Sequence, residues 1–145
     1  MNPIDEIRDR LARYPKARWE TGPDSVTVFP VDDSGFAVSF LIADGEYIVS
    51  FSGWHEHFTD AHQAMNCFVF GLSEDCRLKV YTRGSVEYRW TVETQSSGSW
   101  VEDSTTAVLL FPFWRRLRVE YRQNRVLPSV AQDPIAAGEG GPAQG

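Results

Sequence analysis

Apolar residues near the start of the chain recur at the spacing of a helix. The apolar positions are Ile4, Ile7, Leu11 and Tyr14. Asn2 is a suitable N-cap, Pro3 suits the first helical position, and Pro15 prevents the helix from continuing. The pattern predicts a short amphipathic helix with one face toward the core. Two weaker strand signals follow, at 17–20 and 25–31.

Between residues 36 and 52, large apolar side chains occur at every second position, the spacing of a strand, in place of the helical spacing. Two alternating runs flank Asp44 and Gly45, a dipeptide typical of the two-residue turn that joins antiparallel strands. This turn predicts four cross-strand pairs: Ala43–Glu46, Ile42–Tyr47, Phe40–Val49 and Val38–Phe51. The predicted register places the large aromatic side chains on one face of the hairpin.

A second helical pattern begins after residue 58, with Thr59 as the candidate N-cap. Its apolar stripe consists of Ala61, Ala64, Met65, Phe68, Val69 and Leu72. Four strand-like stretches follow, at 76–83, 85–95, 100–111 and 116–122. Alternation there predicts inward-facing apolar side chains at Leu78, Val80, Val86, Tyr88, Trp90, Val92, Leu117, Val119 and Tyr121. It predicts outward-facing charged ones, among them Arg116, Arg118 and Glu120.

These elements predict an α+β fold in which two amphipathic helices pack on a mostly antiparallel sheet. The predicted order is helix, three or four strands, helix, four strands, and a tandem α–β repeat is an alternative. Residues 1–127 are expected to form a single domain, a usual size for one core. Residues 128–145 are rich in Gly, Ala, Pro and Gln, and we expect a disordered tail there.

The net charge of the chain argues against one class of binding partner, nucleic acids. The 145 residues carry a formal charge of −6, which argues against a nucleic-acid binder because phosphate contacts need a basic surface. No apolar run is long enough for a membrane helix, and residues 1–6 do not resemble a secretory signal. The two cysteines, Cys67 and Cys76, fit neither a redox pair nor a zinc motif. A cytoplasmic protein with reduced thiols is therefore expected.

The three histidines of the chain, His55, His57 and His62, lie within eight residues of one another. They are predicted to lie in a loop between the hairpin and the second helix. On an extended loop His55 and His57 would point the same way, and His62 would approach from the start of the second helix. With Glu56 or Asp60 nearby, three imidazoles could bind Zn²⁺ or another transition metal. The alternative is that these histidines are ordinary structural residues that do not converge.

Two aromatic segments are candidate binding sites. Trp54 and Glu56 adjoin the histidines, and Trp114 and Arg115 follow a Phe-Pro-Phe segment. An exposed aromatic residue beside arginine is typical of protein interfaces. The alternative is that these aromatic residues belong to the buried core. The sequence lacks G-x-S-x-G, H-E-x-x-H, P-loop and G-x-G-x-x-G motifs, so an enzyme is not favoured. The leading hypothesis is a small non-catalytic module that binds a protein partner, a ligand or a second copy of itself. The alternative is a metal-binding protein or a metal-dependent enzyme that uses the histidines.

Overall fold

A computed structural model describes residues 2–127, and the elements form two antiparallel sheets and two helices. The first part of the chain contains α1 (Pro3–Leu11), β1 (Arg18–Gly22), β2 (Ser25–Phe29), β3 (Val38–Ala43), β4 (Glu46–Phe51) and β5 (Trp54–Phe58). The second part contains α2 (Ala61–Leu72), β6 (Cys76–Arg83), β7 (Val86–Ser96), β8 (Ser99–Ala107) and β9 (Leu117–Arg122). The predicted α+β class is confirmed. The predicted tail at 128–145 lies outside the described residues.

The first sheet is a meander in the order β1-β2-β3-β4-β5. Its β3–β4 hairpin has the predicted register, with Phe40 opposite Val49 and Val38 opposite Phe51. Asp44 and Gly45 both have positive φ, 53° and 77°, as the predicted turn requires. Phe40, Val49 and Phe51 are fully buried, so the apolar face of this hairpin contributes directly to the core.

The first sheet has five strands, whereas three or four were predicted. Residues Trp54–Phe58, which the sequence places in a loop, form β5 and pair with β4 along their whole length. The connection is a second two-residue turn at Ser52 and Gly53, with Ser52 at φ 55°. The prediction failed because serine rarely occupies this conformation and because the sequence His-Glu-His has low strand propensity.

Both helices form close to the predicted positions. The Asn2 side chain caps α1 by accepting a hydrogen bond from the Asp5 amide at 3.0 Å, as expected, although the helix ends at Leu11, three residues early. The N-cap of α2 is Asp60, which accepts from the His62 amide at 3.3 Å; the prediction of Thr59 was wrong by one residue. The core-facing side chains of α2 are Ala64, Met65, Phe68 and Leu72.

The second sheet has the order β8-β7-β6-β9. Leu78 and Val80 of β6 are fully buried, as predicted. The predicted facing of the β9 side chains is wrong. Glu120 lies opposite the buried Val80, so Arg118, Glu120 and Arg122 lie on the inner face of the sheet, the same face as Val80. The apolar residues Leu117, Val119 and Tyr121 are 41%, 37% and 50% exposed on the outer face. Alternation shows which residues share a face, but it does not show which face meets the core.

Val86 was also predicted to face inward, and it is 41% exposed. It lies opposite Arg83, a residue of the outer face of β6. An irregularity in the pairing of β6 with β7 falls between Tyr81 and Thr82, and it places one more residue on β7 than on β6. A bulge of this kind inverts the facing of the residues beyond it, which explains why simple alternation fails at Val86.

The two sheets are joined by contacts between distant parts of the chain. The indole of Trp54 in β5 donates to the Ser104 hydroxyl of β8 at 3.0 Å. The ring of Trp90 in β7 packs on the turn before β5, so closely that a Cβ at Gly53 would lie 2.3 Å from it. These contacts place the core between the sheets and α2.

Asn124, two residues after β9, makes three hydrogen bonds and is only 2% exposed. Its Oδ1 accepts from the Phe36 amide at 3.0 Å, and its Nδ2 donates to the carbonyl oxygens of Phe36 and Gly71 at 2.9 and 3.0 Å. The side chain thus joins the loop before β3, the C-terminal turn of α2 and the segment after β9. Its surroundings are tight, because a Cβ at Gly35 would lie 2.5 Å from Oδ1.

We expect Asn124→Ala to lower the free energy of unfolding by about 3 kcal/mol, because it leaves buried main-chain groups without partners. Gln123→Ala is the matched control, since it removes one exposed hydrogen bond to the Glu74 carbonyl and should cost less than ~1 kcal/mol. Urea unfolding of both variants measures the difference. Equal losses would contradict this role for Asn124.

Candidate functional site

The histidine segment lies at the edge of the first sheet. His55 and His57 point to the same side of β5, as predicted, with ring centroids 5.9 Å apart. Both are exposed. His57 Nδ1 lies 3.0 Å from the Glu46 carboxylate across the β4–β5 ladder. The pair is therefore an exposed polar group on the face opposite the core.

His62 does not join this pair. It lies in the first turn of α2, and α2 packs on the other face of the sheet, where Trp54 and Phe58 point. Alternation along β5 therefore points His55 and His57 away from the face on which α2 packs. Among residues 2–127, no three His, Cys, Asp or Glu side chains form a group able to hold a metal ion. Metal binding by these histidines stays a prediction that the described geometry does not favour.

The inner face of β5 borders a crevice of about 300 Å³ between β5, α2 and the second sheet. Trp54, one of the predicted binding residues, is 3% exposed and stacks on Phe51 at 4.5 Å, so it belongs to the core. Glu56, another predicted binding residue, lines the crevice together with Cys67 and Asp103. The crevice is a packing gap with two carboxylates at its border, and no charged partner faces them among its lining residues.

Burial controls the chemistry of the two cysteines. Desolvation by burial and, to a smaller extent, the nearby carboxylates of Glu56 and Asp103 together raise the pKa of Cys67 to about 12. Burial likewise raises the pKa of Cys76. Both side chains are therefore thiols at neutral pH, and neither has the thiolate character that a nucleophile needs.

Large apolar side chains are exposed on the loop between β8 and β9. Leu109 and Leu110 are 92% and 89% exposed, and Phe113 and Trp114 are 71% and 70% exposed. Phe113 and Trp114 contact each other edge to face at 5.3 Å. Single exposed apolar residues are common on soluble proteins, whereas four large ones within six residues are unusual.

The outer face of β9 continues this apolar area. Phe111 stacks on Tyr88 at 4.1 Å, Tyr88 lies 6.3 Å from Tyr81, and Tyr81 pairs with Val119 of β9. Together the loop and the strand form what we call the loop–strand surface: Leu109, Leu110, Phe113, Trp114, Leu117, Val119 and Tyr121.

The predicted binding residue Arg115 fixes the loop at the base of the loop–strand surface. Its carbonyl oxygen accepts from the Arg83 guanidinium at 3.3 Å, and its side chain lies close to Gly84. The neighbouring Arg116 carbonyl accepts from the Gly84 amide at 3.2 Å. Of the four predicted binding residues, Trp114 and Arg115 lie on or beside this surface, whereas Trp54 and Glu56 lie at the crevice.

Cations pack on aromatic rings next to the loop–strand surface. The Arg77 guanidinium lies between Trp100 and Tyr121, 4.6 and 4.2 Å from their centroids, and pairs with Glu93. Lys79 lies 5.2 Å from the Tyr81 ring, and its hydrogen bond to Tyr81 raises the pKa of the Lys79 ammonium. These cation–π contacts restrict the motion of the aromatic side chains.

The outer edge of β9 offers main-chain hydrogen bonds. Among residues 2–127, β9 pairs only with β6. Because the Arg116 carbonyl bonds to Gly84, alternation directs the N–H and C=O groups of Arg118, Glu120 and Arg122 toward β6. The N–H and C=O groups of Leu117, Val119 and Tyr121 consequently point away from the sheet.

Sequence reasoning missed Leu109 and Leu110. The run Val108-Leu109-Leu110-Phe111 resembles a buried strand, and it was predicted as part of one. The signal against that interpretation is Pro112, which together with the two aromatic residues that follow it favours a loop.

Comparisons with protein-family models, curated proteins and solved structures find no match to this chain. Within residues 2–127, neither helix is long and apolar enough to cross a bilayer.

We expect the cysteines of the native protein to resist iodoacetamide at pH 8, because a thiol with a pKa of about 12 is roughly 0.01% thiolate there. The same protein unfolded in urea should be alkylated at both cysteines and serves as the control. Peptide mass spectrometry measures the modified fraction. Rapid alkylation of native Cys67 would contradict this account of its burial.

Proposed function

We propose that this protein is a non-catalytic protein-binding module that docks its partner on the loop–strand surface. The observation that carries the proposal is the exposure of Leu109, Leu110, Phe113 and Trp114, each at least 70% exposed. Burying side chains of this kind contributes roughly 1.5–3 kcal/mol each before the costs of association. Four of them offer enough apolar contact to anchor a specific complex.

The composition of the surface supports a protein partner. Trp114 and Phe113 are flanked by Arg115 and Arg116, and aromatic residues with arginine are enriched at interface hot spots. The adjoining edge of β9 can add main-chain hydrogen bonds to a partner strand, which is a common mode of protein recognition. The buried, unreactive thiols and the two-imidazole geometry of β5 lend no comparable support to catalysis.

The test is a double substitution, Phe113→Ser with Trp114→Ser. We expect it to weaken every complex that the wild type forms, with itself or with another protein, by at least about 30-fold, because two anchor residues are removed. Complexes are identified by affinity capture from the protein's own cell extract and by native mass spectrometry. Their affinities are then measured with purified components.

The matched control is Val31→Ser. Val31 is 50% exposed but lies beside the C-terminal end of α1, among residues that border a separate groove. Neither change removes a core contact, so both variants should keep the wild-type circular dichroism spectrum. A double variant that binds every identified partner as well as the wild type does would refute the proposal.

A further inference from the structure

The exposed edge of β9 is complementary to itself. Its strand reads Leu117-Arg118-Val119-Glu120-Tyr121-Arg122. We infer that the protein's partner is a second copy of the chain, joined by an antiparallel β9–β9 pair whose two-fold axis passes through Val119. The inference rests on the proposed function, since it names the occupant of part of the same surface.

The main chain sets the first condition for this pairing. A two-fold antiparallel pair centred on Val119 places it opposite the partner's Val119 and places Leu117 opposite the partner's Tyr121. These are the residues whose N–H and C=O groups point outward, so each pair can exchange both main-chain hydrogen bonds. The second sheets of the two copies would then form one continuous sheet.

Charge sets the second condition. In the register centred on Val119, Arg118 lies opposite the partner's Glu120, and by symmetry Glu120 lies opposite the partner's Arg118. Directly opposite residues of unlike charge stabilise an antiparallel pair. A like-charged pair arises only at the end of the overlap, between Arg116 and the partner's Arg122. Arg122 is already neutralised by Glu87 at 2.8 Å and Glu120 at 3.0 Å.

Neighbouring registers are less favourable. A pair centred on Arg118 would put that cation opposite its own copy. A pair centred on Glu120 would put the two Glu120 carboxylates together and would place Arg118 opposite the partner's Arg122. A pair centred on Tyr121 would overlap only the last residues of β9, because the strand ends at Arg122. The register centred on Val119 therefore combines the longest overlap with complementary charge.

The apolar residues of the surface fit this arrangement. Leu117 and the partner's Tyr121 would meet on the outer face, together with Val119 of each copy. The loop precedes Leu117 directly, so each copy's Phe113 and Trp114 would lie near the end of β9 that carries the partner's Tyr121 and Arg122. Edge pairing and burial of the loop would then occur in the same interface.

Charge reversal tests the register. The wild type should form a dimer whose dissociation constant rises roughly 10- to 50-fold in Arg118→Glu and, separately, in Glu120→Arg, since each change creates two like-charged pairs. The doubly reversed variant, Arg118→Glu with Glu120→Arg, should recover the wild-type affinity. An equimolar mixture of the two single variants should form a heterodimer, because both cross-strand pairs are again complementary. Sedimentation velocity over a concentration series and native mass spectrometry measure these species.

The outcomes separate this inference from the proposed function. The inference is overturned if the wild type is monomeric at all concentrations. It is also overturned if charge reversal leaves the dissociation constant of the dimer unchanged. The proposed function survives either result if Phe113→Ser with Trp114→Ser still weakens binding to another protein. A β9 edge occupied by an acidic segment of another protein would appear as a complex weakened by Arg118→Glu and not restored by Glu120→Arg. Circular dichroism checks that each variant is folded. The equimolar mixture of the two single variants is a further control, because it restores complementary charge pairs without adding a substitution to either chain.

Discussion

The buried amide of Asn124 holds together three parts of the chain that are far apart in sequence. Its side chain bonds to the main chain at Phe36 and Gly71. The main-chain N–H of the adjacent residue, Gln123, donates a hydrogen bond to the Ser34 carbonyl oxygen at 2.8 Å. A main-chain bond from the Leu127 amide to the Leu72 carbonyl continues the attachment. Because β9 ends directly before these contacts, its C-terminal end is fixed against the first half of the molecule.

This attachment explains why β9 has an exposed edge and an exposed apolar face. The segment after β9 must reach Phe36 and Gly71, so β9 lies beside β6 at the margin of the second sheet and does not insert between other strands. The Arg122 side chain bonds to Glu87 on the inner face of the second sheet. It places a charged group at a position where a strand in the middle of the core would carry an apolar side chain. The odd-numbered residues of β9 are consequently turned to the outer face, where no described element covers them.

The sequence predicts those features that depend on near neighbours. The Asp44-Gly45 hairpin, the Asn2 cap and the apolar stripe of α2 all depend on residues within a few positions of one another. The hairpin and the cap were confirmed, and the stripe was confirmed at four of its six positions. The facing of β9 and the role of Asn124 could not be predicted, because they depend on contacts between residues more than 30 positions apart in sequence. β5 lies between these cases, since its turn is local but uses Ser52, a residue that seldom has positive φ.

The same distinction between local and long-range contacts applies to the candidate site. Clustering in sequence suggested that three histidines meet, but the alternation of β5 and the position of α2 separate His62 from the other two. Composition alone singled out the Phe-Pro-Phe-Trp segment as a candidate binding site, although its first residue, Phe111, was predicted to end a strand.

The same loop gives the strongest reason to regard the surface as functional. The core is complete without it, since the side chains of Phe40, Phe51 and Phe68 are at most 2% exposed. Removing exposed apolar groups from the loop would therefore cost the fold little and would lower the tendency to aggregate. Four large apolar residues next to a strand edge that has no partner within residues 2–127 are a liability for a protein that acts alone. In the proposed complex a partner would cover these residues, and the alternating charges of β9 would limit which partner can do so.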